Sequence, residues 1–185
     1  RSPDIKQNKE KNMNNSKTIA RVAMIAALYT ALSLALAPFS FGNIQVRIAE
    51  GLTLLPLIWQ PGIPAVTLGC FLTNLIGAMM GVNVLGFVDC FVGTLATFLA
   101  AVCTRRLRDV KVGNIPVLSI LMPVLFNAII IGGELAFAFY PGDALVTGWI
   151  ISALEVGAGE LISVIIGYII INALDKKGVF NKFKD

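Results

Sequence analysis

The sequence predicts an all-α integral membrane protein, a six-transmembrane-helix bundle with a short second helix and both termini cytoplasmic. Three observations predict it. Of 185 residues, 56% are hydrophobic and only 14% charged, well outside the usage of soluble domains. The apolar residues gather into runs, most of them long enough to cross a hydrocarbon core of roughly 30 Å at about 1.5 Å per residue. The cations are segregated from those runs. Arg1, Lys6, Lys9, Lys11, Lys17 and Arg21 precede the first run, Arg105, Arg106, Arg108 and Lys111 form one central loop, and Lys176, Lys177, Lys182 and Lys184 follow the last. These groups hold 14 of the 15 Lys and Arg residues, and Arg47 is the exception. Cations that flank apolar runs are the mark of cytoplasmic loops rather than of a nucleic-acid face.

Taken in order, residues 1–16 are polar and without periodicity, and are expected as a disordered tail. Met13 is a candidate natural start, which would leave residues 1–12 outside the folded unit. A membrane domain is expected over 17–178, with spans at about 18–38, 48–60, 63–80, 84–104, 115–139 and 144–174, and a basic cytoplasmic tail at 179–185. Residues 39–47, with Phe39, Phe41 and Gly42, form the loop between the first two spans. The apolar block 52–80 is interrupted by Gln60-Pro61-Gly62-Ile63-Pro64, a helix-breaking sequence. Splitting it there puts both tails and the basic loop 105–111 on one side, as the positive-inside rule prefers; leaving it whole does not. The second span is then short, and is expected to tilt, to thin the bilayer or to be covered by its neighbours.

Several chemistries are excluded. There is no His, which removes the commonest general base and imidazole metal sites. Cys70, Cys90 and Cys103 lie in apolar runs with no Cys-x-x-Cys pair, so they read as small hydrophobes. No cofactor or metal is expected, and with no nucleophile–base pair in view, no enzyme activity. The loops are short and hold no P-loop motif. Any ATP hydrolysis that drives transport must come from another chain.

What remains is an acidic constellation. Outside the cytoplasmic segments stand Glu50, Asp89, Glu134, Asp143, Glu155 and Glu160 against the single base Arg47. Charges within a bilayer are costly, and those that are kept usually serve function. Carboxylates suit a small cation or a ligand rich in N–H donors. Arg47 and Glu50 stand at i,i+3 and are able to pair with each other. Asp143 follows Pro141-Gly142 and suits a turn or helix cap. Asp89 stands near the outer start of its span, within reach of solvent. Asn127 precedes Glu134 by seven residues on one helical face. Glu155 and Glu160 stand about 140° apart around their helix, roughly 15–24 Å along it. Trp149 suits either stacking on a planar ring or an interfacial belt. Candidate substrate contacts are thus Glu134, Glu155, Glu160, Asn127, Trp149, Asp89, Glu50 and Arg47. A second pattern is small: Ala23, Ala27 and Ala31 repeat every four residues, with Ala20 and Ala35 close to the same stripe. Such a stripe lets another helix approach, either within the bundle or from a separate subunit.

Six spans, a short second span, the alanine stripe and the missing ATPase resemble the substrate-binding subunit of an energy-coupling-factor transporter. The block Val46-Arg-Ile-Ala-Glu-Gly-Leu-Thr-Leu-Leu-Pro56 resembles the signature of its QueT branch, and the likeness extends over about residues 17–178. The resemblance implies a bacterial cell-membrane protein that binds a queuosine precursor, such as 7-aminomethyl-7-deazaguanine or queuine, from outside. It implies partners: a coupling transmembrane subunit, docked on Ala23, Ala27 and Ala31, and two cytoplasmic ATPases. The ligand would lie beneath the loop 39–47. Binding of another vitamin, or a self-sufficient proton-coupled transporter of a small cationic solute, are the competing functions.

Overall fold

The computed structural model describes residues 3–37 and 47–182, with side chains over 15–37 and 47–181. The chain is all-helical there. Five α-helices, α1 (Pro3–Ala35), α2 (Gly62–Met79), α3 (Asp89–Arg106), α4 (Val117–Phe139) and α5 (Leu145–Lys176), accompany a ten-residue 3₁₀ segment, Ile48–Leu57. Two one-turn 3₁₀ pieces, Gly142–Ala144 and Val179–Lys182, flank α5. Among the described residues, four stretches are long and apolar enough to cross a membrane: Asn15–Ala35, Gly62–Met79, Val117–Phe139 and Gly142–Lys176.

Two elements differ from the sequence expectation. Helix α1 already runs through the polar residues 3–16, where a disordered tail is expected. Helix α3 starts at Asp89, not near residue 84. The residues before it are held as turns, because Gly81 and Gly86 take left-handed φ of 70° and 63°, and the Asn83 side chain accepts the Leu85 backbone N–H at 3.1 Å. The loop 39–47 lies, apart from Arg47, outside the described residues.

The bundle is turned inside out relative to a soluble one. Ile19, Met24, Leu28, Phe91, Leu95, Phe98, Ile129, Phe137, Leu154 and Ile169 are exposed, while Thr30, Ser33, Thr53, Thr73, Asn74, Thr97, Asn127 and Ser152 are buried. An apolar exterior around a polar interior is the arrangement that a lipid solvent selects. Successive helices pack side by side from α1 to α5, and the 3₁₀ segment touches all five of them.

Why the segment fits there follows from its geometry. A 3₁₀ helix rises about 2.0 Å per residue, so ten residues reach roughly 20 Å where an α-helix would reach about 15 Å. Its side chains eclipse every third residue. Glu50, Thr53 and Pro56 therefore share one buried face, and the pattern opens with the Glu50 N–H on the Arg47 carbonyl at 2.8 Å. On another face Gly51 crosses Gly167 of α5: a Cβ on Gly51 would stand 2.8 Å from the Gly167 Cα, so backbone meets backbone. Near the segment's end, the Pro56 carbonyl is taken by the Arg105 guanidinium at 3.1 Å. A similar repair appears in α4. Pro123 has no N–H for the Ser119 carbonyl, and the Thr104 hydroxyl of α3 fills that role at 3.0 Å.

Candidate functional site

The buried charges converge where the start of the 3₁₀ segment meets α3, α4 and α5. A cavity there is lined by Arg47, Glu50, Gly93, Asn127, Ile131, Val156 and Glu160. Its free volume is about 10 Å³, the limit for a single water. The lining charges are out of solvent: Arg47 is 6% exposed, Glu50 2% and Glu160 3%.

Each element contributes through its own periodicity. The 3₁₀ segment delivers Glu50 in its first turn, where the Tyr29 hydroxyl of α1 donates to Oε1. The Thr53 hydroxyl donates to the Glu50 carbonyl at 2.5 Å, tying the turn together. Helix α3 delivers Asp89 at its N-terminus, where an acid is favoured by the exposed N–H groups. Asp89 is the best-held charge. Its Oδ2 accepts Arg47 Nη2 at 3.3 Å and Asn83 Nδ2 at 2.9 Å, and its backbone carbonyl accepts Asn74 Nδ2 at 2.9 Å. One turn later, Gly93 leaves the space that this arrangement occupies. A Cβ there would stand 2.6 Å from Asn74 Nδ2 and would overlap Asp89 Oδ1. Helix α4 delivers Asn127 and Ile131, and α5 delivers Val156 and Glu160, with the Asn127 amide beside the Glu160 carboxylate.

Glu134 lies one turn beyond Ile131, close enough to feel the charges of Asp89 and Arg47. Both of its carboxylate oxygens are buried without a hydrogen-bond partner. So are Glu50 Oε2, Asp89 Oδ1, Asn74 Oδ1 and Glu160 Oε1. Buried polar atoms in folded proteins are almost always partnered, and these converge on one region. Four carboxylates, Glu50, Asp89, Glu134 and Glu160, thus gather around a single cation among the described residues. The arrangement accepts hydrogen bonds and positive charge, and is short of both.

The structure sorts the sequence-derived candidates. Arg47, Glu50, Asp89, Asn127 and Glu160 come together, with Glu134 beside them. Arg47 bonds Asp89 across the bundle. Asp89, expected within reach of solvent, is 1% exposed. Glu155 and Trp149 are not brought to the cavity. Glu155 is half-buried on another face of α5, as its angle from Glu160 requires. Trp149 is 45% exposed and donates its indole N–H to the Ile129 carbonyl at 3.0 Å, which pins the ring to the outside of α4. Ala20, Ala23, Ala27, Ala31 and Ala35 are all exposed, whereas Ala26, Tyr29, Thr30 and Ser33 face the bundle. Sequence reasoning missed Tyr29, Asn74, Asn83 and Gly93. A polar side chain within an apolar run was the available signal for the two asparagines and the tyrosine; Gly93 carried none.

Among the described residues no group of three potential metal ligands has metal-site geometry. A curated relative, the queuosine precursor transporter QueT of Lactococcus lactis subsp. cremoris (strain MG1363), is 35% identical over 91 residues, covering 47% of this chain and 50% of the relative. The chain thus spans about half the length of that relative in the match. No solved structure matches. A family profile described as QueT transporter matches residues 19–176, from the first turns of the apolar part of α1 to the end of α5, and the chain belongs to that family.

Proposed function

We propose that this chain is the membrane-embedded binding subunit for uptake of a queuosine precursor, a 7-deazaguanine with a cationic side chain or queuine, and that it works with a separate energy-coupling-factor module. The observation that carries the reading is the buried excess of carboxylates around one cation in a QueT-family chain. A guanine-like edge presents adjacent N–H donors that a carboxylate accepts as a pair. An aminomethyl group brings the positive charge that a second carboxylate lacks. Glu160, beside Asn127, and Glu50, held by Tyr29, suit the first role; Asp89 and Glu134 suit the second. Ligand enters from the outer ends of α3, α4 and α5, where Asp89 and Glu134 stand.

The bundle would cross the membrane six times, with the 3₁₀ segment as the short second crossing and both termini cytoplasmic. The basic residues at α3's C-terminal end and after α5 support that orientation. The exposed alanine stripe of α1 is the proposed docking face for the coupling subunit. Two cytoplasmic ATPases would supply the energy.

Calorimetric titration of the purified protein in nanodiscs with the aminomethyl-deazaguanine and with queuine tests the binding role; tight binding without added ions is expected. Uptake into proteoliposomes should require the coupling subunit, the ATPases and ATP. Uptake by this chain alone, driven by a proton gradient, would instead establish the self-sufficient transporter that the same carboxylates suit. Ala27→Leu should leave ligand affinity unchanged while reducing recovery of the assembled complex on co-purification. Normal assembly would assign the stripe to lipid contact.

A further inference from the structure

The cavity is too small for the ligand it is proposed to hold. About 10 Å³ compares with roughly 300–1,000 Å³ for pockets that bind small molecules. Among the side chains that fill it, Arg47 differs from the rest. The others are rooted on helices or carry the acidic character of the site; Arg47 precedes the 3₁₀ segment and brings the single buried cation among the described residues into contact with Asp89. Its charge is the kind that the carboxylates attract, and it arrives from within the chain.

We infer that Arg47 is a placeholder for the ligand's positive charge: in the empty site its guanidinium occupies the seat on Asp89, and a ligand bearing an ammonium group takes that seat by displacing it. This rests on the cationic-ligand reading above. The geometry offers the displaced guanidinium somewhere to go. Glu50 Oε2 and both oxygens of Glu134 are buried without hydrogen-bond partners, and both residues already interact electrostatically with Arg47. Moving from Asp89 to either acid keeps the guanidinium paired, while the ligand's ammonium pairs Asp89. One cation among four carboxylates becomes two. A neutral ligand would have to break the Arg47–Asp89 pair and offer nothing in return, so the arrangement selects for charge as well as shape. Asp89 would remain oriented throughout, because Asn83 holds Oδ2 and Asn74 holds its backbone carbonyl.

A placeholder and a direct ligand contact make opposite predictions when the side chain is removed. Arg47→Ala should bind the aminomethyl-deazaguanine at least as tightly as the unaltered protein. Methylguanidinium should raise the thermal midpoint of Arg47→Ala and not that of the unaltered protein. It should also weaken the ligand's apparent affinity for the variant, by up to about tenfold at about ten times its own dissociation constant, because the ligand must move it off Asp89. Arg47→Ala that binds the ligand about tenfold or more weakly than the unaltered protein, with methylguanidinium restoring the affinity, would make Arg47 a direct contact and overturn the proposal. If Arg47→Ala does not fold, Arg47→Lys decides: equal or tighter ligand binding supports the placeholder, and a tenfold loss overturns it. If the unaltered protein binds no deazaguanine, the ligand reading falls by itself. The seat is then judged by thermal midpoint alone, and methylguanidinium failing to stabilise Arg47→Ala would refute it.

Discussion

The two ends of the 3₁₀ segment border two polar cavities of opposite character. At its start lies the closed cavity of about 10 Å³ around Glu50 and Glu160; at its end, Leu57 and Ile58 border an open one of about 360 Å³ with Arg108, Asp109, Lys111 and Asp175. Between these two, volume favours the larger, yet its charges are of both signs, and Arg108, Asp109 and Lys111 reach water. The Arg108–Asp109 pair is made at 3.4 Å with Asp109 83% exposed, and such pairs contribute little. In the smaller one, acids outnumber cations and water is excluded. Unbalanced charge that is buried is costly to maintain, whereas balanced charge in water costs almost nothing. Imbalance, not size, nominates the site.

Substitutions on each side of this contrast test it, and the largest effect is expected in the small cavity. Glu160→Gln should weaken binding of the aminomethyl-deazaguanine by about 30-fold or more, the roughly 2 kcal/mol at least that follows from losing one partner of a buried charged contact. Calorimetry on the purified variant measures it, and an affinity within threefold of the unaltered protein would move the ligand elsewhere. Gly93→Ala should cost about 1–3 kcal/mol of stability through overpacking, read as a lowered midpoint in a thermal unfolding scan. An unchanged midpoint would mean that Asp89 and Asn74 are less tightly fixed than their contacts with Gly93 require. Glu155→Gln should alter affinity by less than about threefold, since its carboxylate faces away from the cavity; a Glu160-sized loss would reverse the assignment between these two. The smallest effect belongs to the open cavity: Asp109→Asn should change stability by less than about 0.5 kcal/mol, as exposed pairs do, and leave ligand binding intact.

Much of this was legible in the sequence, for reasons that can be stated residue by residue. Hydropathy and cation placement mark the helices because lipid tolerates neither exposed backbone nor stray charge. The break at Gln60–Pro64 is legible because proline and glycine act locally, and the structure ends the 3₁₀ segment at Leu57 and begins α2 at Gly62. Helix start points were harder: α3 begins later than its apolar run because Gly86 and the Asn83 side chain act as a turn. The roster of intramembrane acids was readable, but their directions were less so. The i,i+3 spacing of Arg47 and Glu50 suggested a local pair, whereas Arg47 stands before the 3₁₀ segment in extended backbone and its guanidinium reaches Asp89. Trp149 reads equally well as a stacking platform or an interfacial ring until the Ile129 carbonyl claims its N–H. Gly93 had no signature, because its importance lies in what two other residues do in the space it leaves.

For a multi-pass protein of a transporter family, the crossing of Gly51 and Gly167 also bears on biogenesis. The 3₁₀ segment leaves the ribosome well before α5, yet its tightest backbone contact is with α5, the last of the five α-helices in chain order. Until α5 is inserted, Glu50 has neither Glu160 nor the wall formed by Val156 beside it. Contacts so distant in sequence form late, because the intervening chain must be ordered first. The acidic chamber is therefore completed only once α5 is made, and a chain cut short before α5 would reach the membrane with its early helices inserted and its binding chamber unmade.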